Sequence, residues 1–450
     1  MTTDYRQQVL NRLADKTATI GVIGLGYVGL PLAVAFAEAG YHVIGVDTDE
    51  TKVKHLNQGQ SYVIDIPSEQ IAPLVDNGSF RATTDYEALR KADAVSICVP
   101  TPLRKTKDPD MSFILQAIEG LSTVSHAGML VSLESTTYPG TTEEIIAEQL
   151  SEQGLVIGQD AFVTFSPERI DPANKIYTVR NIPRVVGGVT PACLEVGVAY
   201  YSIVVEEVVP VNSPTTAEMV KLLENTFRAV NIALANEIAM MCDRLGIDVW
   251  EVIQAAATKP FGFMPHYPGP GLGGHCIPLD PHYLSWKLKT LNYTARFIEL
   301  ASEINTNMPF YVLDKIVGAL NEIGKPVRQS RIGILGVAYK RDVDDVRESP
   351  ALDIIHILAE KGAVVEWADP HVKQVRLIDG TLSHPAALTA DWLQQQDCIV
   401  VITDHSTFDW DLIVSNAGLI VDTRNATRMA NATVKAQIVG LSPTANVAGH

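Results

Sequence analysis

Cys276 is the residue of this chain whose type and surroundings point to the most specific chemistry. It lies in the segment 269–280, GPGLGGHCIPLD, half of which is glycine and proline. A glycine-rich loop lets its backbone approach a ligand closely, and a thiolate in such a loop can act as a nucleophile. Asp280 follows four residues later, where its carboxylate could hold a water molecule or a proton. Cys98 and Cys242, by contrast, fall in a predicted strand and a predicted helix and are expected to be buried.

A dinucleotide-binding pattern occupies residues 24–29, which read GLGYVG. It follows the apolar run 17–23 and precedes a predicted helix at 31–39, and the next predicted strand ends at Asp47. In this setting the glycines permit a tight turn and close approach of a pyrophosphate, and the carboxylate can accept hydrogen bonds from ribose hydroxyls. A carboxylate there would repel a 2'-phosphate, so the pattern predicts NAD rather than NADP. NAD and a nucleophilic cysteine in one chain suggest an oxidation that passes through a covalent thiol adduct.

Three further groups of polar residues are candidates for the same site. Lys221 and Asn225 lie one turn apart on a predicted helix, so they can present an ammonium and an amide to one pocket, or lie on a solvated helix face. Glu168 follows a predicted strand, where its carboxylate could act as a base or be a surface charge. Lys340 and Arg347 lie in a basic segment that suits a diphosphate, although the acidic residues between them are also consistent with a solvated loop.

The residues around Cys276 allow a second interpretation of this loop, as a metal site. The potential ligands are His266, His275, Asp280 and His282. Zinc sites in dehydrogenases usually offer more than one sulfur or histidine ligand at regular spacing, and this segment does not. No metal is therefore predicted.

The composition limits the classes of protein to which the chain can belong. At 450 residues it is expected to form two or three domains, and its 46% hydrophobic and 19% charged residues are normal for a well-packed protein. The formal net charge of -17 disfavours nucleic acid and anionic membranes as partners. The five cysteines are scattered, the N-terminus has no apolar signal core, and no run reaches the roughly 18 apolar residues that span a bilayer. The predicted location is the cytoplasm.

Two α/β patterns flank a helical middle. The predicted strands lie at 17–23, 41–46, 94–99, 129–133 and 161–165 in the first pattern, and at 330–338, 363–367, 398–402 and 419–421 in the second. Between them a helical pattern runs from Ser213, the predicted N-cap, to Gly246, a length of roughly 50 Å. The predicted fold is α/β, with two Rossmann-like doubly wound domains joined by a central helical domain that contains a long connecting helix. Three domains are predicted. Residues 1–210 form the domain that binds NAD, residues 211–318 form the central domain with Cys276, and residues 319–450 form the second Rossmann-like domain.

Taken together, these segments resemble those of the nucleotide-sugar 6-dehydrogenases, the family of the UDP-glucose, UDP-N-acetylhexosamine and GDP-mannose dehydrogenases. The resemblance covers essentially the whole chain. The matching segments are GLGYVGLPL at 24–32, VPTP at 99–102, EST at 134–136, FSPER at 165–169, KLLEN at 221–225, the Cys276 loop and GVAYK at 336–340. So many segments in the same order make the match highly specific. It implies a twofold oxidation of a sugar C6 alcohol to a carboxylate, with two NAD molecules reduced in each turnover.

The resemblance also implies a role for each matching catalytic residue. Cys276 would attack the intermediate aldehyde, the thiohemiacetal would give up a second hydride to become a thioester, and water would hydrolyse the thioester. Lys221 would stabilise oxyanion character, and Asn225 would help to hold the oxyanion. The residues that would position or activate the hydroxyl group and the water are Thr136, Glu168 and Asp280.

Two sets of binding residues follow from the same resemblance. The predicted cofactor-binding residues are Gly24, Gly26, Tyr27, Val28, Gly29, Asp47, Lys52, Pro100, Thr101, Thr136 and Arg347. The predicted substrate-binding residues are Glu168, Arg169, Lys221, Asn225, Gly273, His275, Tyr339 and Lys340. Lys340 and the loop around Arg347 would bind the nucleotide sugar on the second Rossmann-like domain.

The cysteine loop distinguishes between branches of this family. UDP-glucose dehydrogenases typically have Ser or Tyr before the cysteine and a lysine before the aspartate, whereas this chain has His275 and Leu279 there. The loop and the preceding residues 268–271 resemble the UDP-N-acetylhexosamine branch. The predicted substrate is therefore UDP-N-acetylglucosamine (UDP-GlcNAc) or its galactosamine epimer, oxidised for surface polysaccharide precursors, and UDP-glucose is the alternative. The arginine that UDP-glucose enzymes extend into the partner subunit's site has no clear match, and Lys259 and His266 are the nearest polar residues.

Two functions of other kinds remain open on the sequence alone. In a two-electron hydroxyacid or polyol dehydrogenase, Lys221 would do the acid–base work and Cys276 would be structural. A non-catalytic nucleotide-sugar or redox sensor would bind its ligand without producing NADH. The family resemblance further implies at least a homodimer, formed through the central helical domain.

Overall fold

Residues 3–63, 65–104, 108–169 and 176–443 are described by a computed structural model of the chain. The chain divides into two compact units, the first formed by Met1–Glu224 with His282–Tyr293 and the second by Asn225–Pro281 with Thr294–His450. Each unit is built around its own mainly parallel sheet. Within the described ranges, the helices are all too short or too polar to cross a bilayer.

The strands fall into one group for each unit. In the first unit they are β1 (Thr19–Ile23), β2 (His42–Val46), β3 (Phe80–Thr83), β4 (Ala94–Ile97), β5 (Leu130–Leu133), β6 (Phe162–Phe165), β7 (Arg184–Gly188) and β8 (Val208–Val211). In the second unit they are β9 (Arg331–Leu335), β10 (Val364–Ala368), β11 (Val375–Arg376), β12 (Leu382–Ser383), β13 (Cys398–Val401), β14 (Leu419–Asp422) and β15 (Gln437–Gly440). Valine and isoleucine, which favour extended backbone, recur in most of them.

The helices surround these sheets and fill the region between them in the sequence. They are α1 (Tyr5–Ala14), α2 (Gly29–Glu38), α3 (Glu50–Asn57), α4 (Ser68–Asp76), α5 (Ser112–Ser122), α6 (Glu148–Glu152), α7 (Pro191–Tyr201), α8 (Pro214–Leu245), α9 (Val249–Ala257), α10 (Asp280–Thr290), α11 (Arg296–Glu322), α12 (Pro350–Glu360), α13 (Ala390–Gln395) and α14 (Trp410–Asn416). Shorter segments are 3-10 helical at Tyr86–Lys91 and Ala426–Met429 and π-helical at Thr142–Ala147.

The sheet of the first unit has the strand order β3-β2-β1-β4-β5-β6-β7-β8 among the described residues. The strands from β3 to β6 are parallel and reproduce the 3-2-1-4-5-6 order of dinucleotide-binding sheets. β7 is antiparallel to β6 and parallel to β8, and neither β7 nor β8 was predicted. The order reverses between β1 and β4, so the loops after these two strands form the expected ligand-binding crevice.

The main sheet of the second unit has the order β10-β9-β13-β14-β15, and its strands are parallel throughout the described residues. Numbered within this sheet, this is the 2-1-3-4-5 order of another common doubly wound fold. The order reverses between β9 and β13. The predicted α/β class, with two Rossmann-like sheets and a helical middle, is confirmed.

Buried aromatic side chains hold helices against the first sheet. Phe36 of α2 stacks on Tyr200 of α7, with 4.5 Å between the ring centroids. The Tyr200 hydroxyl lies 3.0 Å from Ser96 Oγ on β4, and the Tyr201 hydroxyl lies 2.6 Å from Ser132 Oγ on β5. These hydrogen bonds allow two tyrosines to lie fully buried in the core.

The long helix α8 begins and ends where the sequence predicts. The Ser213 hydroxyl accepts a hydrogen bond from the Thr216 N–H at 3.1 Å, and Gly246 after the helix has a left-handed φ of 72°. Asn236 of α8 donates to Asn305 of α11 at 2.9 Å, and both amides are buried. The two longest helices are therefore joined by a polar contact within their packed faces.

The helices of the predicted central domain are divided between the two units. α8 is continuous, but residues up to Glu224 belong to the first unit and the remainder belongs to the second. The division into three domains, with boundaries at 210 and 318, therefore stays a prediction.

Candidate functional site

The glycine pattern at 24–29 forms the turn between β1 and α2. Gly24 has a left-handed φ of 89°, and a Cβ atom on it would lie 2.6 Å from the carbonyl oxygen of Cys98. A Cβ atom on Gly29 would lie 1.8 Å from the carbonyl oxygen of Gly24. Both positions therefore require glycine. Gly26 instead has no atom within 4 Å of its Cβ position among the described residues, which leaves room for a pyrophosphate to approach the backbone.

Asp47, directly after β2, holds the glycine turn in place. Its Oδ2 accepts a hydrogen bond from the Leu25 N–H at 2.9 Å, and its Oδ1 accepts one from the Asp49 N–H at 3.0 Å. Lys52 Nζ lies 3.8 Å from Oδ2. The structure thus brings the predicted carboxylate and Lys52 together beside the turn, where the ribose of a dinucleotide is expected. The residues present fit NAD.

The other predicted cofactor residues of the first unit lie at the ends of neighbouring strands. Tyr27 and Val28 complete the turn after β1, and Tyr27 is 45% exposed. Pro100 and Thr101 follow β4, and Thr136 follows β5. Because β1, β4 and β5 are adjacent and parallel, these residues lie along the same edge of the sheet. That edge contains the reversal of strand order at which ligands bind.

Lys221 and Glu168 are in direct contact. The Lys221 ammonium donates to the main-chain oxygen of Glu168 at 2.6 Å, and Lys221 is only 9% exposed. Glu168 Oε1 accepts a hydrogen bond from the Arg169 N–H at 2.6 Å, and the Arg169 guanidinium donates to both carboxylate oxygens of Glu224 on α8. Lys221 is therefore held at the end of β6 and does not lie on a solvated helix face.

Arg184 of β7 fixes the other side of Glu168. Its Nη1 lies 3.4 Å from Glu168 Oε2, its Nη2 pairs with Glu134, and its Nε donates to Ser166 Oγ at 2.9 Å. Tyr201 donates its hydroxyl hydrogen to Glu134 at 2.9 Å. Burial raises the pKa of Glu134, and Arg184 opposes that rise. Burial would lower the pKa of Arg184, but the two carboxylates hold it above its ordinary value, so the guanidinium is charged.

A small cleft lies beside this network in the first unit. Glu168, Arg169 and Arg184 are among the residues that line it. One carboxylate and two guanidinium groups suit a ligand that carries hydroxyl groups and negative charge. Glu168 and Arg169 were predicted from the sequence, whereas Arg184 was not, because its partners follow other strands.

In the second unit, Cys276 lies in the turn that precedes α10. Its side chain is exposed, and its carbonyl oxygen accepts a hydrogen bond from the Asp280 N–H at 2.8 Å. Asp280 is 2% exposed, and its Oδ2 accepts a hydrogen bond from Asn225 Nδ2 at 2.5 Å. The structure thus places an accessible thiol in the same turn as a buried carboxylate that an amide orients.

Glycines allow the loop 269–280 to lie against the segment that follows β9. A Cβ atom on Gly273 would lie 2.6 Å from the Tyr339 Cβ, and one on Gly274 would lie 2.8 Å from the Tyr339 ring. The Gly274 N–H donates to the main-chain oxygen of Arg347 at 2.9 Å. Predicted substrate residues that are far apart in the sequence are therefore neighbours within the second unit.

Two cations and one neutral histidine lie in this region. Burial lowers the pKa of His275, and the positive charge of Arg347 lowers it further, so the imidazole is neutral at neutral pH. Arg347 forms an ion pair with Asp345 at 2.7 Å, and Lys340 is half-buried beside Tyr339. Arg347 lies in the second unit, whereas the glycine turn lies in the first. Its assignment to the cofactor stays a prediction.

Arg424 is a further cation of this region that was not predicted from the sequence. Its Nε donates to the main-chain oxygen of Ile402 at 2.8 Å, and a Cβ atom on Gly269 would lie 2.5 Å from its Nη1. Burial lowers the pKa of this guanidinium, against the opposing effect of Asp404. A half-buried arginine packed on the first glycine of the cysteine loop suits an anionic ligand. Its only signal in the sequence is its position just after a strand.

The predicted catalytic residues form two sets, one in each unit. The first set is Thr136, Glu168 and Lys221, and the second is Asn225, Cys276 and Asp280. Lys221 and Asn225 lie one turn apart on α8, the helix to which both units contribute. The first set offers a carboxylate and a held ammonium, which suit acid–base catalysis, and the second offers a thiol and a carboxylate, which suit covalent catalysis.

The sequence matches three models of one protein family. The UDP-glucose/GDP-mannose dehydrogenase family matches with its NAD binding domain at residues 18–205, its central domain at 215–307 and its UDP binding domain at 333–429. The chain is similar to a UDP-N-acetyl-D-mannosamine dehydrogenase from Methanococcus maripaludis, with 36% identity over 394 residues that cover 86% of each chain. It is also similar to an NDP-N-acetyl-D-galactosaminuronic acid dehydrogenase from Ralstonia nicotianae, with 37% identity over 90% of this chain and 95% of that relative.

A solved structure shows the same fold. The UDP-D-ManNAc dehydrogenase from Pyrococcus horikoshii superposes with a TM-score of 0.86 and is 34% identical in sequence. The superposition covers 94% of this chain and 99% of that one. The likeness therefore extends over both units.

Proposed function

Since the chain belongs to the UDP-glucose/GDP-mannose dehydrogenase family and uses NAD as its cofactor, we propose that it oxidises the C6 alcohol of a UDP-N-acetylhexosamine to the uronic acid. The observation that carries the proposal is the exposed Cys276 thiol, one turn before the buried Asp280. A simple alcohol oxidation needs no cysteine. A thiol that holds the aldehyde covalently allows a second oxidation to follow. The uronate would supply the synthesis of surface polysaccharides.

The proposed reaction consists of two oxidations and a hydrolysis. NAD, when bound, accepts one hydride in each oxidation. Between the two, the Cys276 thiolate adds to the carbonyl carbon of the aldehyde and forms a thiohemiacetal. After the second hydride leaves, the adduct is a thioester. Water attacks the thioester carbon and releases the carboxylate and the thiol.

Lys221 is proposed to stabilise the oxyanions of this sequence. Its ammonium is held by the Glu168 carbonyl oxygen in a buried position, where an ion interacts more strongly with a developing negative charge than it does in water. Glu168 and Thr136 would position the reacting hydroxyl group and the water. In the second unit, Asp280 would hold a proton at its carboxylate, and Asn225 would orient that carboxylate and help to hold the oxyanion.

The nucleotide part of the substrate is proposed to bind in the second unit. Its match to the family's UDP binding domain supports this placement. Tyr339, Lys340 and the loop around Arg347 lie after β9, where the strand order of the second sheet reverses. Gly273 and Gly274 allow the cysteine loop to pack against this segment, and His275 lies in the same loop. Arg169 and Glu168 would contact the sugar from the cleft of the first unit.

The configuration of the sugar is the finer part of the proposal. The cysteine loop alone predicts UDP-GlcNAc, and that stays a prediction. The Methanococcus and Pyrococcus relatives are both named for the mannosamine epimer, which differs from it at C2. We therefore place UDP-N-acetylmannosamine (UDP-ManNAc) first and UDP-GlcNAc second.

A homodimer formed through the central helices is proposed as the assembly. Apolar side chains remain exposed along α8 and α11 of the second unit, and they include Phe227 (44%), Leu234 (54%), Met241 (46%), Phe297 (75%) and Phe310 (53%). Large apolar side chains grouped on one region of a protein surface commonly mark an interface. The cytoplasmic location stays a prediction.

The test is a product count with several sugars. The purified protein is incubated with excess NAD and, separately, with UDP-ManNAc, UDP-GlcNAc, UDP-N-acetylgalactosamine and UDP-glucose, and the NADH formed per uronate is measured. We expect a ratio of about two with an acetamido sugar, because both oxidations occur before release. The Cys276→Ala variant should form no uronate.

Other outcomes would decide against the proposal in distinct ways. A ratio of one with an aldehyde product would favour a two-electron dehydrogenase in which Cys276 is structural. Rapid turnover of UDP-glucose alone would exclude the acetamido branch. Binding of UDP-sugars without any NADH would favour a non-catalytic sensor.

A further inference from the structure

Three potential metal ligands from separate loops meet at the carboxyl edge of the second sheet. Asp342 lies in the segment after β9, His371 after β10 and His405 after β13. One ligand atom from each lies within 4.8 Å of the other two. Asp342 Oδ1 is 3.7 Å from His371 Nε2 and 3.9 Å from His405 Nδ1. The sequence gives no sign of this cluster, since more than 25 residues separate its members.

His371 contributes a nitrogen that has no hydrogen bond. Its Nε2 atom is buried, and it finds no partner within the described part of the chain. Buried polar atoms without a partner are rare in folded proteins and call for an explanation. The distance of 3.7 Å to Asp342 exceeds that of a hydrogen bond. The side chain as a whole is 29% exposed, so an ion can reach the cluster from solvent.

His405 is oriented as metal-binding histidines commonly are. Its Nε2 lies 3.0 Å from Asp369 Oδ2, and both side chains are fully buried. Its Nδ1 accepts a hydrogen bond from the Asp342 N–H at 3.0 Å, so Nε2 carries the ring proton and donates it to Asp369. In such sites, a carboxylate fixes one ring nitrogen by a hydrogen bond, and the lone pair of the other ring nitrogen points toward the metal ion. Here that lone pair faces Asp342.

We propose that Asp342, His371 and His405 bind a divalent transition-metal ion of the zinc class. Two imidazole nitrogens and a carboxylate oxygen are typical ligands of Zn²⁺, at about 2.0–2.2 Å in a tetrahedron whose fourth position holds water. Such a tetrahedron places its ligand atoms about 3.4 Å apart, a few tenths of an ångström less than the two distances to Asp342. When the ion binds, the Asp342 peptide must rotate, because its N–H has to release the Nδ1 atom of His405.

The bound ion would tie together three loops of the second unit. One of them, between β9 and Asp342, contains Tyr339 and Lys340. Because an unfolded chain cannot hold the three ligands together, the ion stabilises the folded state. The site is independent of the proposed oxidation, and it is tested without measuring activity.

The full-length protein is first freed of metal with a chelator and then titrated with Zn²⁺ in competition with a chromophoric chelator. We expect one tightly bound ion per chain and a rise in Tm of roughly 2–4 °C or more at saturation. His371→Ala and Asp342→Asn should each weaken binding by at least about tenfold and abolish the Tm shift. His384→Ala is the matched control, because His384 is an exposed histidine of the same unit outside the cluster. It should bind the ion as tightly as the wild type.

The absorption spectrum of the Co²⁺ complex identifies the type of ligand atom. A site made of nitrogen and oxygen gives no sulfur-to-metal charge-transfer band, whereas an ion on Cys276 does. The proposal is overturned if the wild type binds no stoichiometric ion, if His371→Ala and Asp342→Asn both bind it unchanged, or if the Co²⁺ complex shows the thiolate band.

Discussion

Arg184 and Glu134 form an ion pair in which the two side chains are 5% and 0% exposed. Arg184 also lies 3.4 Å from Glu168, a predicted catalytic residue. Taking two charges out of water costs free energy that their attraction offsets only when the geometry is good and further hydrogen bonds are made. Ser166 and Tyr201 supply those hydrogen bonds. The network therefore gives Glu168 a rigid support at the end of β6.

Removal of one partner of this pair should be strongly destabilising. Arg184→Gln leaves the Glu134 carboxylate buried without a counter-charge, so the free energy of unfolding should fall by about 3–5 kcal/mol. Urea denaturation measures the change. Arg6→Gln is the control, because the Arg6–Glu195 pair is 44% and 52% exposed and should contribute little. Equal decreases in the free energy of unfolding would show that the buried pair contributes no more to stability than the exposed pair.

Cys276 should be the thiol that reacts first with iodoacetamide in the native protein. It is exposed, whereas Cys98, Cys193, Cys242 and Cys398 are buried. Mass spectrometry should find about one modification per native chain, and NADH production should fall in step with it. Cys242→Ala should keep the reactive thiol, and Cys276→Ala should lose it. Early labelling of any other cysteine would contradict the proposed role.

Asn225→Ala should slow the reaction through Asp280. The substitution removes a donor to the buried carboxylate, so Asp280 is held less firmly and kcat should fall by roughly 10²-fold. Asn231→Ala is the matched control on the same helix, because its amide contacts only the exposed main-chain oxygen of Phe227 among the bonds described. Steady-state NADH rates at saturating substrate compare the two. Similar rates in both variants would remove Asn225 from the site.

Asp47→Asn should shift the cofactor preference away from NAD. The carboxylate repels a 2'-phosphate and binds ribose hydroxyls better than an amide does, so the ratio of kcat/KM for NAD over NADP should fall by about tenfold or more. Glu50→Gln removes an exposed charge from the first turn of α3 and should leave the ratio unchanged. An unchanged ratio in Asp47→Asn would place the ribose elsewhere.

His275 should make the stability of the protein depend on pH. Its pKa is lowered in the folded state, so the unfolded chain binds the proton more readily. The contribution of the neutral imidazole is therefore complete above the unfolded value of about 6.5 and is lost as the pH falls below it. Between pH 7.5 and pH 5.5, the free energy of unfolding should decrease less for His275→Gln than for the wild type. The same decrease in both proteins would show that His275 is not the cause.

Elements that local sequence patterns indicate could be predicted, and the contacts between distant segments could not. The turn at 24–29, the N-cap at Ser213 and the end of α8 at Gly246 all follow from residues within a few positions of each other. β7 and β8 were missed because β7 lies antiparallel to β6 and its register is set by residues far along the chain. The loop around Cys276 was identified, but its packing on Tyr339 was visible only in the structure.

By itself, the sequence determined the fold class, the cofactor turn and the glycine-rich loop that contains Cys276, because glycine positions, apolar periodicity and helix caps act between near neighbours in the chain. The tertiary structure decided which charges meet. It paired Arg184 with Glu134, placed Arg424 against Gly269 and brought Asp342 close to His371 and His405. Such contacts depend on strand order and register, which emerge only when distant segments pack, and no local pattern encodes them.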